Sequence, residues 1–266
     1  MRMINKNVNF YNKNGYIKIK VFNHNEIKNF ENLIKKKIDK YLKNKNWNLS
    51  DYHKHIDKEN NNKITNTLRR YINIDKKIID KIRVNKRISQ ILKNKWRHDK
   101  FLIPNQNYLL GMKKKITIKD VNKNEIPFRI VVPKRNTYSI SGAPPPHVDL
   151  NAGTVIRNKN KVVSPVNLTL WTPIIGFSNK YTLQFAPGSH LLNHPISNVK
   201  KISKYISPVF KKKYYQKFKY KRINLKKGEA ILFDVNLLHG GAENLGSKTR
   251  VNLEFRLYNR YNVNIK

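Results

Sequence analysis

The chain has 266 residues, with 56 Lys and Arg against 16 Asp and Glu, a formal charge of +40, and no cysteine. Lacking thiols, it has no disulfide framework, no thiolate nucleophile and no zinc finger, so a metal would have to be held by His, Asp or Glu. No apolar run approaches the roughly 18 residues of a membrane span, and Met1 to Phe10 carries no signal-like apolar stretch, which predicts a soluble, cytoplasmic protein with no membrane partner.

Dense Lys and Arg attract phosphate without regard to sequence. Lys, Asn and Ile are all abundant here and share A/T-only codons, so genome composition accounts for much of the charge. Nucleic acid is therefore expected as no more than a weak, non-specific partner. More informative is where charge is absent: between Val162 and Val199 the only charged side chain is Lys180. A stretch that resists so strong a bias is expected to be buried or functionally constrained.

In chain order, a first strand is predicted over Gly15–Phe22. Asn25–Leu42 places Ile27, Phe30, Leu33, Ile34, Ile38, Tyr41 and Leu42 at helical spacing, with Glu26 and Glu31 toward its start. The polar stretch Asp51–Asn66 is predicted as a loop, and Lys76–Trp96 as a second helical run. Beyond Phe101 the period shortens to two, predicting strands at Tyr108–Ile118, Phe128–Pro133, Val166–Thr172, Tyr181–Ala186, Glu229–His239 and Arg250–Tyr258. Strands that follow one another without intervening helices point to an antiparallel sandwich or jelly roll. The fold class expected is α+β, mainly β. One domain is expected over 1–266, with a mostly helical part at 1–100 and a jelly-roll core at 101–266.

Eight histidines are present. His147 and Asp149 stand one residue apart, so on extended backbone both project from one face. His239 ends the row Ile231, Phe233, Val235, Leu237, His239, whose alternation aims the imidazole inward. Two His and one carboxylate make the facial triad of a non-haem Fe(II) site, leaving positions open for co-substrate and oxygen. A second His-x-Asp, His55-Ile56-Asp57, lies in the polar stretch without a downstream partner and is read as incidental. Eleven residues after His239, Arg250 heads a strand on which Arg250, Asn252, Glu254 and Arg256 share a face. An arginine fork suits a carboxylate. Gly241–Thr249 looks superficially like a phosphate loop, but an alternating strand follows it rather than the helix such a loop requires.

Together with Phe10-Tyr11-Asn12-Lys13-Asn14-Gly15-Tyr16-Ile17, Leu168-Thr169-Leu170-Trp171-Thr172-Pro173-Ile174, Phe185-Ala186-Pro187-Gly188-Ser189-His190 and Leu238-His239-Gly240-Gly241, these residues resemble the phytanoyl-CoA dioxygenase-like family of Fe(II)/2-oxoglutarate oxygenases. The resemblance implies a double-stranded β-helix with N-terminal helices. It implies iron at His147, Asp149 and His239, and 2-oxoglutarate at Arg250. The implied reaction uses O2, converts 2-oxoglutarate to succinate and CO2, and hydroxylates a small-molecule substrate. A halide in place of the carboxylate ligand would point to halogenation, and the presence of Asp149 argues against it. Arg129, Trp171 and Arg256 are candidate substrate contacts, with Lys134 and Arg135 nearby in sequence, which favours a small polar or anionic metabolite, sugar-like or phosphorylated. Two rival readings are an oxygenase acting on nucleic acid and a non-catalytic jelly-roll binding protein. His190 and His194 are read as turn, pocket or loop residues.

Overall fold

A computed structural model describes residues 2–42, 46–57, 59–61, 64, 71–103, 124–134, 145–149, 156–158, 161–163, 166–195, 199–202, 205–208, 210–240 and 242–260. It begins with a helix that the sequence pattern did not announce, α1 (Arg2–Asn14), which has no acidic residue in its first turn. Gly15 ends it at φ +78, where an added Cβ would stand 2.5 Å from His190 Nδ1, so only glycine fits. Strand β1 (Tyr16–Lys20) follows, then α2 (His24–Ile38). Asn23 accepts from the Glu26 backbone N–H at 2.9 Å while Glu26 accepts from that of Asn23 at 2.7 Å, a reciprocal cap that starts α2 as its acidic first turn predicted.

The stretch expected as a loop contains a short helix, α3 (Tyr52–His55), anchored by the fully buried Tyr52, whose hydroxyl donates to Asn61. His55 and Asp57 are exposed there, and among the described residues the second His-x-Asp joins no metal-competent group. After β2 (Tyr71–Asn73), the single helix expected over Lys76–Trp96 is two, α4 (Lys76–Arg83) and α5 (Lys86–Trp96). Asn85 breaks the run: its backbone is extended (ψ 114), and its side chain caps α5 by accepting from the N–H groups of Arg87 and Ile88. Replacing an N-cap Asn by Ala costs about 1 kcal/mol. Asn85→Ala should therefore lower the thermal midpoint by roughly 2–4 °C, read from a calorimetric or circular-dichroism melt.

The rest of the chain is mostly strand: β3 (Phe101–Leu102), β4 (Glu125–Val131), β5 (Ile156–Asn158), β6 (Lys161–Val163), β7 (Val166–Ile175), β8 (Gln184–Phe185), β9 (Val199–Ile202) and β10 (Tyr205–Pro208). The short helix α6 (Lys212–Tyr215) precedes β11 (Lys221–Arg222), β12 (Glu229–Asp234) and β13 (Arg250–Asn259). Among the described residues, seven strands form one antiparallel sheet in the order β1-β12-β7-β13-β4-β2, with β3 also paired to β13. Opposite it lie β8 paired with β11, and the isolated bridges His147–His239 and Phe185–His239. The strand expected at Tyr108–Ile118 and the side chain of Arg135 lie outside the described residues.

Two strand expectations are corrected. Of Tyr181–Ala186 only Gln184 and Phe185 pair as strand, the preceding residues forming a turn. Glu229–His239 is not continuous: β12 stops at Asp234, where a turn closes with Leu237 N–H donating to Asp234 O. His239 therefore reaches the interior after a turn, not by uninterrupted alternation.

Period-two alternation gives the large sheet two different faces. Leu168, Leu170, Leu232, Leu253, Phe255 and Leu257 pack against Ile27, Phe30 and Ile34 of α2 and the buried isoleucines of α4 and α5. Phe22 joins the layers, lying 5.3 Å from Phe30 and 5.9 Å from Phe255. The other face carries Tyr16, Trp171, Ile231 and Phe233, covered by Leu183, Phe185, Leu225 and Leu237. The candidate site sits on this second face. Among the described residues no helix is long and apolar enough to cross a membrane.

Candidate metal centre

His147 and His239 are joined by two backbone hydrogen bonds of 2.8 and 2.9 Å, which set their rings side by side with centroids 4.5 Å apart. Each ring faces a carbonyl two residues back, His147 Nδ1 to Pro145 O and His239 Nδ1 to Leu237 O, both at 2.8 Å. A carbonyl only accepts, so each Nδ1 carries the proton and each Nε2 presents a lone pair. Both Nε2 atoms are 3.8 Å from Asp149 Oδ1. Between the two residues of the His-x-Asp pair, Val148 is fully buried against Ala186, Phe210 and Leu238. Gly240 follows His239 at φ +96, where a Cβ would meet the His147 ring at 2.9 Å.

Asp149 is almost wholly buried, and its two oxygens are treated differently. Oδ2 accepts from Thr169 Oγ1 at 2.8 Å and from Arg256 Nη1, while Oδ1 has no hydrogen-bond partner among the described residues. A buried carboxylate oxygen left bare is costly unless a cation takes its place. Nε2, Nε2 and Oδ1 lie within 4.8 Å of one another and could hold a metal ion. Burial pushes the His147 imidazolium pKa down to about 3, helped by the neighbouring His239, and burial likewise takes His239 to about 4. Both rings are thus neutral at pH 7, the form that ligates. Two imidazoles and one oxygen fit Fe(II).

Strand β13 supplies the rest of the wall. Its register sets Arg250 opposite Val131, Asn252 opposite Arg129, Glu254 opposite Trp171 and Arg256 opposite Thr169. The alternating face read from the sequence therefore looks into a cavity lined by Arg129, His147, Leu183, Phe233, His239, Gly240, Ala242, Arg250, Glu254 and Arg256. Arg250 is fully buried and donates through Nη1 to the carbonyls of Tyr181 (2.9 Å) and Ala242 (3.1 Å). Its Nε has no partner among the described residues. Burial, with Arg129 and Arg222 nearby, lowers its pKa to about 9, which still leaves it charged at neutral pH.

Of the candidate substrate contacts, Arg129 lines the cavity, 40% exposed at the side chain and 3.5 Å from Glu254. Arg256 also lines it, with its guanidinium engaged by Asp149, Thr169 (2.6 Å) and Glu254 (3.2 Å). Trp171 is fully buried in the cluster it shares with the cavity-lining Leu183 and Phe233, and is not itself among the described residues lining the cavity. Lys134 is turned to Glu243 at 2.7 Å. His190 and His194 serve structure: His190 Nε2 meets Asn12 O, and His194 bridges Tyr214 Oη and Asn236 O. The sequence reading gave no role to Thr169 or Glu254, although Glu254 stands on the alternating face that it identified.

A family model for phytanoyl-CoA dioxygenase (PhyH) matches residues 11–252. The chain belongs to the phytanoyl-CoA dioxygenase family. As a member it is an iron- and 2-oxoglutarate-dependent oxygenase, and His147, Asp149 and His239 could bind the iron. Its fold is similar to that of EctD from S. alaskensis, solved with 2-oxoglutarate and 5-hydroxyectoine, at 13% identity and TM-score 0.57 over 97% of this chain and 76% of that one. It is also similar to the epimerase SnoN in complex with Fe3+, alpha ketoglutarate and nogalamycin RO, at 11% identity and TM-score 0.55 over 97% and 84%. A third is AviO1 from Streptomyces viridochromogenes Tue57, at 11% identity and TM-score 0.52 over 96% and 95%. At such identities the likeness concerns the fold. No curated protein matches the chain.

Proposed function

We propose that this family member is a cytoplasmic hydroxylase of a small polar or anionic metabolite, built as one double-stranded β-helix domain in which Arg250 holds 2-oxoglutarate. The observation that carries the reading is Asp149 Oδ1, buried, without a donor among the described residues and 3.8 Å from two imidazole lone pairs. The large sheet facing the β8–β11 pair and the His147–His239 bridge supports the β-helix assignment.

When bound, iron and 2-oxoglutarate supply the oxidising chemistry, consuming O2 and releasing succinate and CO2. What the chain contributes is placement. His147 and His239 offer neutral nitrogens locked by their Nδ1 bonds, and Asp149 offers one oxygen because Thr169 and Arg256 hold the other. Arg250 offers a desolvated guanidinium to the far carboxylate of 2-oxoglutarate, where a charge-assisted bond is strongest. Leu183 and Phe233 keep part of the wall dry. Arg129, Arg250 and Arg256 outnumber Glu254 and Asp149 around the cavity, and this positive excess favours an anionic group on the substrate.

Anaerobic addition of Fe(II) and then 2-oxoglutarate should give the visible charge-transfer band of the chelate, and absence of the band would overturn the reading. Small anionic metabolites should stimulate succinate formation, with Arg129→Ala raising KM by about 10-fold at little cost in kcat. Turnover confined to neutral apolar compounds would remove the substrate assignment.

A further inference from the structure

Asp234 is a buried carboxylate that belongs neither to the metal centre nor to the cavity wall. Its Oδ2 accepts from Tyr11 Oη of α1 at 3.0 Å and from Lys95 Nζ of α5 at 2.6 Å. Its Oδ1 accepts from Asn236 N at 2.9 Å, its own N–H donates to Gly15 O at 2.8 Å, and its carbonyl accepts from Leu237 N at 3.0 Å. One residue thus ties α1 and α5 to the turn that leads into His239.

The far side of that turn is held just as closely. Asn236 Nδ2 donates to the carbonyls of His190 and Leu192, and Leu238 N–H donates to Ser189 Oγ at 2.9 Å. The Gly188–Leu192 turn is itself bonded to the end of α1, through Gly188 N to Asn14 O and His190 Nε2 to Asn12 O, both 3.1 Å. These bonds close a ring through α1, that turn and residues 234–238. Since β12 ends at Asp234, the His239 backbone takes its position from this ring on the upstream side, from the bridge to His147, and from the bridge to Phe185 of β8, where Ala186 N–H donates to Leu238 O and Gly240 N–H to Gln184 O. Phe233, 4.6 Å away, packs against the imidazole.

We propose that Asp234 is a positioning residue for the metal centre. Anchored by Tyr11 and Lys95, it fixes the 234–239 turn so that His239 Nε2 already faces Asp149 Oδ1 before a metal arrives, and it makes metal affinity depend on how α1 and α5 are seated. The inference rests on the reading of His147, Asp149 and His239 as metal ligands. Its physical basis is preorganisation: a ligand on a loosened turn must be ordered upon binding, and that cost appears as weaker affinity.

The test is anaerobic titration of the full chain with Co(II) alone, followed by its visible absorption, with a thermal melt of each variant. Asp234→Asn should weaken Co(II) by about 10-fold or more, the range for loss of an outer-shell partner. Tyr11→Phe, which removes one hydrogen bond, should weaken it by about 3-fold and decides the matter alone if Asp234→Asn does not fold. Glu26→Gln is the control, because the Glu26 side chain bonds Asn23 and Lys81 rather than the turn. It should lower the melting temperature and leave Co(II) affinity within about 2-fold, since a small unfolded fraction scarcely changes binding to the folded protein. If Asp234→Asn and Tyr11→Phe melt early but bind Co(II) like the wild type, Asp234 is structural only and the inference is overturned. A wild type that takes up no Co(II) would instead remove the metal reading on which it stands.

Discussion

Asp149→Asn should abolish uptake of Fe(II) and, with it, the charge-transfer band given by added 2-oxoglutarate. The expected loss of affinity exceeds the roughly 10–100-fold that removal of an outer-shell partner produces, because a ligand itself is lost. The local bonding dictates the outcome. Thr169 and Arg256 both donate to the Oδ2 side, so the amide must turn its oxygen toward them and its NH2 toward the two imidazole lone pairs. An amide nitrogen has no lone pair to give a metal. The same substitution strips Arg256, 14% exposed, of its principal counter-ion, and breaking a buried pair from one side costs about 3–5 kcal/mol. Glu254 at 3.2 Å from Arg256 Nη2 retains part of that, so a loss of about 2–3 kcal/mol is expected for the metal-free protein. The two effects separate in melts taken with and without Co(II). Wild type should gain about 2.7 kcal/mol when metal stands at 100 times its dissociation constant, whereas Asp149→Asn should gain nothing. His239→Ala should behave likewise toward metal, and a variant of either kind that still melts higher with Co(II) would show that the ligand set is wrong.

How much of this could be read from the chain depends on whether the cause is local. The face of β13 was legible because strand alternation is a property of adjacent residues: Arg250, Asn252, Glu254 and Arg256 face one way and Val251, Leu253, Phe255 and Leu257 pack the other. His147 and Asp149 were legible for the same reason, with buried Val148 as the pivot between them. The route to His239 was not. Alternation predicted a strand through to the histidine, yet Asp234 ends it through bonds to Tyr11 and Lys95, residues 223 and 139 positions away. The break in the Lys76–Trp96 run was hidden differently: Asn85 is a strong cap, but in so Asn-rich a chain one more Asn carries little signal. Helix α1 was missed although Ile4, Val8 and Tyr11 stand at helical spacing, because the bonds that seat it are tertiary, to Asp234, Asn94 and the Gly188–Leu192 turn. The charge of +40 proved informative mainly by its absence from the buried central part of β7.

Arg250→Ala should weaken 2-oxoglutarate by about 100-fold, which corresponds to the 2–5 kcal/mol at stake when a buried charge partner is truncated, while Fe(II) or Co(II) affinity stays within a few-fold. The separation is expected because Arg250 makes no bond to His147, Asp149 or His239; its Nη1 is spent on the Tyr181 and Ala242 carbonyls, and its unpartnered Nε belongs to the edge left for a ligand. Arg250→Lys keeps a charge but loses the fork, since an ammonium cannot bond two backbone carbonyls and present a planar pair of donors to a carboxylate at once. It should therefore recover only part of the loss, about 10-fold short of wild type. Added guanidinium should partly restore 2-oxoglutarate binding to Arg250→Ala, because the substitution leaves a guanidinium-sized hole lined by two free carbonyls, and it should do nothing for Arg250→Lys, whose side chain still fills the space. Stability is the control. Both carbonyls lose a partner in Arg250→Ala, so the melt should drop, and a drop without any change in 2-oxoglutarate affinity would return Arg250 to a purely structural role and leave the co-substrate to another cation of the cavity.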